Sequence, residues 1–102
     1  MKGIIFTEFL ELVEDKYGLE MVDTLIQHSK LQSKGVYTSI GTYQFSEMLS
    51  LLQNLSEGTG TSIDRLLETF AEHFFGVIER TYPDMLNAYK DLFVKLLDMI
   101  AL

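Results

Sequence analysis

Apolar side chains recur at helical spacing through most of the chain, and glycine or proline marks several of the breaks. In residues 3–17, Ile5, Phe9, Leu12 and Val13 follow at spacings of four, three and one, which places them on one face of a 3.6-residue turn. Glu8, Glu11, Glu14 and Asp15 fall mostly on the other face. Gly18 then ends the helix, because a residue without a Cβ closes the last turn at least cost.

The same reasoning predicts four further helices, with an extended loop and a turn between them. A short helix covers 19–30, with Met21, Val22, Leu25 and Ile26 inward. Residues 31–43 carry no helical period; Gly35 and Gly41 bracket a β-branched and aromatic stretch that reads as an extended loop. A helix over 44–56 carries Phe45, Met48, Leu49, Leu52 and Leu55, and the turn Glu57-Gly58-Thr59-Gly60 follows. Thr61 or Ser62 can cap the next helix, 62–81, with Asp64 adding favourable charge in its first turn. Its stripe is Leu66, Leu67, Phe70, Phe74, Val77 and Ile78. Pro83 then starts a last helix, 84–101, carrying Leu86, Tyr89, Phe93, Leu96, Leu97 and Ile100. The expectation is an all-α chain of four to five helices, a single helical domain over 1–102, with no repeat or linker.

Composition narrows the possible functions. Fifteen acids against eight bases give a net charge of −7, which disfavours a nucleic-acid binder or an anionic membrane surface. No apolar run is long enough for a membrane span, and Glu8 and Glu11 interrupt the N-terminal segment too early for a signal peptide. A cytoplasmic location is the expectation. Cysteine is absent, so disulfides, thiolate nucleophiles and cysteine-based metal sites are excluded. Mean hydropathy is slightly positive for so small a chain, so some apolar surface is expected to stay uncovered.

Catalytic constellations are missing. The two histidines, His28 and His73, have no His-x-x-x-His or Glu-x-x-His pairing, and Gly58-Thr59-Gly60 lacks the lysine and preceding strand of a phosphate loop. Ser29 and Ser33 lie near His28, but nothing marks a third triad member or an oxyanion hole. His28 reads as a charge offsetting a helix C-terminus, and His73 as a helix residue beside the apolar stripe. The chain is not expected to be an enzyme. Phe70, Phe74, Phe75 and Ile78 together form an aromatic wall of the kind that suits ordinary core packing or a flat apolar macrocycle.

Several blocks, in order, resemble one family. They are Met1-Lys2-Gly3-Ile4-Ile5-Phe6, then Tyr17-Gly18-Leu19-Glu20, then Gly35-Val36-Tyr37-Thr38-Ser39-Ile40-Gly41-Thr42-Tyr43, then Phe70-Ala71-Glu72-His73-Phe74-Phe75 with Tyr82-Pro83. Together they are similar to the haem nitric-oxide/oxygen binding (H-NOX) sensor domains. The resemblance implies an N-terminal helical lobe over one porphyrin face, and a C-terminal α/β lobe that this chain lacks. In the family a proximal histidine holds the iron and a Tyr-x-Ser-x-Arg motif grips the propionates. Nitric oxide breaks the iron–histidine bond, the lobes shift, and a histidine kinase or cyclic-dinucleotide enzyme responds.

By matching positions, the resemblance implies that Ile5, Phe9, Phe74, Phe75 and Ile78 face the gas-binding side of haem and that Leu97 lines the proximal region. The family pattern near the proximal ligand is roughly Asp-x-x-His-Leu; here it reads Asp98-Met99-Ile100-Ala101-Leu102, placing Ala101 at the ligand position. A methyl group cannot coordinate iron. Tyr37-Thr38-Ser39-Ile40-Gly41 resembles the propionate motif only superficially, since glycine stands where the cation belongs. The expected cofactor is therefore haem, weakly held or absent, with a diatomic gas as its ligand. The alternative is a haem-free helical interaction module that self-associates as a homo-oligomer through an uncovered apolar face.

Overall fold

Among the described residues five helices form, joined by short connections except for one long loop. They are α1 (Gly3–Tyr17), α2 (Leu19–His28), α3 (Phe45–Thr59), α4 (Ile63–Thr81) and α5 (Leu86–Ala101), with a 3₁₀ turn at Pro83–Met85 before the last. The structure, a computed structural model, describes residues 1–101. The side chain of Ala101 and all of Leu102 lie outside the described residues. The helices divide into two compact units, Met1–Thr61 and Ser62–Leu102.

In the first unit α1 packs on α2 and α2 on α3. Phe6, Phe9 and Val13 of α1, Val22 and Leu25 of α2, and Met48, Leu51, Leu52 and Leu55 of α3 are buried. α1 begins without a capping side chain. The first N–H groups of any helix have no intrahelical partner and need one elsewhere. Here the loop supplies it: Gly3 N–H donates to the Gly41 carbonyl at 2.8 Å and Ile4 N–H to that of Ser39 at 3.1 Å. One residue earlier, Lys2 and Thr42 form an isolated antiparallel bridge. The Met1 amine donates to the Tyr43 carbonyl at 2.6 Å, and Tyr43 N–H donates back to Met1 at 2.8 Å. The stretch 1–4 is thus laced to 39–43.

This close approach explains Gly3. A Cβ there would collide with the Thr38 carbonyl oxygen and come within 2.9 Å of the Tyr43 ring. Gly18 closes α1 with φ 91°, its N–H donating to Glu14, as the spacing predicts. α3 departs from expectation. It runs through Gly58 to Thr59, and Gly60, in the left-handed region at φ 73°, donates to Ser56 as the actual cap. Thr59 adds a side-chain bond to the Leu55 carbonyl at 2.8 Å, which supports the extra turn.

In the second unit α4 packs on α5. Ser62 caps α4 by accepting from Arg65 N–H at 3.2 Å, and Asp64 sits in the first turn. Tyr82 precedes proline and leaves helical geometry at φ −140°, ψ 62°, because a following pyrrolidine ring disfavours the helical conformation. α5 therefore begins only at Leu86, after the proline-initiated 3₁₀ turn. No helix among the described residues is long and apolar enough to cross a membrane.

Gly3→Ala should lower the unfolding free energy by ~2 kcal/mol or more, because the new methyl displaces the loop from the unpaired N–H groups of α1. Urea denaturation followed by circular dichroism measures it. Gly58→Ala, in the helix interior with only Met21 near its would-be Cβ, should leave stability unchanged or raise it slightly.

Candidate functional site

The proposed haem-facing residues occur in both units. In the first, Ile5 and Phe9 lie about one turn apart on α1, with Ile5 fully buried and Phe9 2% exposed. In the second, Phe74 and Ile78 are fully buried on successive turns of α4, while Phe75 on the same helix and Leu97 on α5 are half-buried. Ala101 ends α5, and its side chain falls outside the described residues.

The α4 wall is an aromatic cluster shared with α5. Phe74 stacks on Phe93 with centroids 5.5 Å apart and planes 13° from parallel. Phe70 lies 5.7 Å from both rings. Tyr89 meets Phe74 edge to face at 5.0 Å, and Phe75 meets Phe93 the same way at 5.1 Å. Such pairs add about 0.5–1.5 kcal/mol each beyond the area they bury. Burial raises the Tyr89 phenol above its usual range, with the neighbouring Tyr82 adding to the effect.

The first unit holds a polar centre that periodicity does not reveal. Glu47 of α3 is 3% exposed. One of its oxygens, Oε1, accepts from Ser33 Oγ at 2.7 Å, from the Tyr37 hydroxyl at 2.9 Å and from Ser33 N–H at 3.4 Å. A buried carboxylate without such donors would be costly. The Tyr37 ring stacks on Phe6 at 4.5 Å and meets Tyr43 edge to face at 4.8 Å. Burial pushes the Tyr37 phenol well above the ordinary tyrosine range. The Glu47 carboxylate reinforces this through hydrogen bond and charge, while Ser33 opposes it.

The first unit has a cleft of about 450 Å³ beside Thr7, Leu10, Val22 and Tyr37, and another of about 250 Å³ beside Met21, His28, Asn54 and Glu57. Neither is lined by a predicted haem-facing residue. Among the described residues no group of three or more His, Asp or Glu side chains could hold a metal ion. Haem iron asks for less, a single axial imidazole. His28 is exposed at the end of α2 and lines the smaller cleft, whereas the Nε2 of His73 on α4 is enclosed by protein. The apolar side chains suit the face of a macrocycle. Position 101 carries alanine, whose methyl group has no donor atom for iron.

The Haem-NO-binding family model matches residues 2–101. The chain belongs to that family. The crystal structure of the Fe(II) unliganded H-NOX protein from K. algicida is similar at 72% identity, with a TM-score of 0.80, over 88% of this chain and 49% of that one. The solution structure of the H-NOX from Shewanella woodyi in the Fe(II)CO ligation state is 36% identical, with a TM-score of 0.72, over 94% of this chain and 52% of that one. An H-NOX of S. oneidensis at 24% identity shares the fold, with a TM-score of 0.73. The chain spans about half the length of these solved H-NOX proteins. No match is found among curated proteins. The all-α architecture is that of the N-terminal H-NOX lobe.

In an alkaline titration followed by phenolate absorbance, Tyr37 and Tyr89 should ionise above the ordinary tyrosine range. The folded-state value of Tyr37 lies above the unfolded one. Its contribution to stability is therefore complete below about pH 10 and is lost as pH rises through the raised value. Tyr37→Phe should delete one late step from the curve.

Proposed function

We propose that this chain serves as the helical lobe of a haem-based sensor of nitric oxide or another diatomic gas, with residues 1–102 acting as one domain. The match of the Haem-NO-binding family over residues 2–101 carries the reading. Ile5, Phe9, Phe74, Phe75 and Ile78 are the residues we assign to the distal face of the porphyrin, and Leu97 to the proximal region. Haem, when bound, supplies the iron that captures the gas. The chain's own part is to present apolar surface and exclude water, since Ala101 offers no lone pair to a metal. The protein is not an enzyme in this reading. A signalling protein, such as a histidine kinase or a cyclic-dinucleotide enzyme, receives the output in the cytoplasm.

A second reading, self-association without haem, draws on Val94 and Met99. They stand on α5 at 58% and 56% exposure.

Haemin titrated into the purified 102-residue chain should give a weak Soret band well short of one haem per chain. Ala101→His should raise it only slightly. A stable equimolar complex in the unaltered chain would refute the assignment of Ala101 to the ligand position. A colourless protein eluting as a dimer from a sizing column would favour self-association.

A further inference from the structure

The Glu47 centre joins three segments of the first unit that are far apart in sequence. Glu47 belongs to α3, its donors Ser33 and Tyr37 belong to the long loop, and the Tyr37 ring lies flat on Phe6 of α1. Tyr43, next in the ring cluster, carries the backbone groups that pair with Met1, and its hydroxyl accepts from Thr38 N–H at 2.8 Å. The Ser33 hydroxyl is fixed from both sides: it donates to Glu47 and accepts from Gly35 N–H at 3.2 Å. The loop backbone is held in uncommon conformations at this point, with Lys34 at φ 58° and Gly35 at φ 81°. A non-glycine residue in the left-handed region persists only where its surroundings hold it there.

We infer that Glu47 is a positioning residue: its carboxylate latches the loop 31–43 to α3 and, through the Tyr37–Phe6 stack, sets where the first turn of α1 sits. The geometry has a direct mechanical consequence. The N–H groups of Gly3 and Ile4 rely on carbonyls of this loop, so releasing the loop from Glu47 uncaps α1. Ser33 and Tyr37 are the strike plates, and charge-assisted donation makes them stronger than neutral pairs would be. Ile5 flanks Phe6, and Phe9 follows one turn later. On the function proposed above, the latch therefore also places the two α1 side chains offered to the porphyrin. That clause rests on the haem reading; the latch itself does not.

Amide hydrogen exchange on the 102-residue chain, without haem, tests it. Glu47→Ala and Tyr37→Phe should each accelerate exchange at Gly3, Ile4 and Tyr43 by about tenfold or more, the loss expected when a hydrogen bond to a charged group is removed. The Leu52 amide, inside α3, should change by less than about twofold. Glu47→Gln keeps a carbonyl oxygen for both donors and should recover most of the protection. Tyr37→Phe retains the ring stack and removes only the hydroxyl, so it decides the matter if Glu47→Ala fails to fold. Wild-type exchange at Gly3 and Ile4 in Tyr37→Phe would overturn the latch. Equal acceleration at Leu52 would also overturn it, as the signature of general destabilisation. Haem binding can fail entirely without altering any of these outcomes.

Discussion

A helix that starts without a capping side chain must borrow acceptors for its first N–H groups, and α1 borrows them from a loop almost forty residues away in sequence. That loan organises the first unit. It requires glycine at position 3, because the Thr38 carbonyl of the same loop comes closer than a methyl group allows. It requires the loop to keep a defined shape, although no regular secondary structure stiffens it. The shape comes instead from side chains: a carboxylate, two hydroxyl donors and a three-ring cluster of Phe6, Tyr37 and Tyr43.

The second unit is held differently. Its cohesion is aromatic, with Phe70, Phe74, Phe75, Tyr89 and Phe93 in mutual stacked, tilted or edge-to-face contact across α4 and α5. Ring quadrupoles favour these offset arrangements over sandwiches. Phe74 and Ile78, fully buried, are part of the fold's interior as well as candidates for the porphyrin face. A porphyrin-facing role, as proposed, and ordinary core packing would therefore draw on the same residues.

Much of this was readable from residue order. The stripe on α4 is buried at Leu66, Leu67, Phe70, Phe74 and Ile78, and Ser62 caps the helix as its position suggests. The helical class and the family blocks were readable too. Phe6 was not, because a single-face reading of α1 assigns it to the flank, and only the loop folded against that flank buries it completely. Leu51 was missed for the same reason on α3, whose true length was hidden by a Gly58 that looks like a terminator and sits inside the helix. Glu47 left no periodic signal, since its partners lie ten and fourteen residues away and a buried charge contradicts the pattern rule. The assignment of Ile5, Phe9, Phe74, Phe75, Ile78, Leu97 and Ala101 to haem came from family resemblance, and burial alone does not distinguish a cofactor wall from a core.

The tyrosine pair has an optical consequence. The chain contains no tryptophan, so its near-ultraviolet signal is dominated by five phenol rings. Tyr37 and Tyr43, locked at 4.8 Å and 77° in an asymmetric setting, are rigid chromophores in the first unit. Their dichroic band belongs to the seated loop, giving the first unit a built-in, label-free gauge of its own N-terminal architecture.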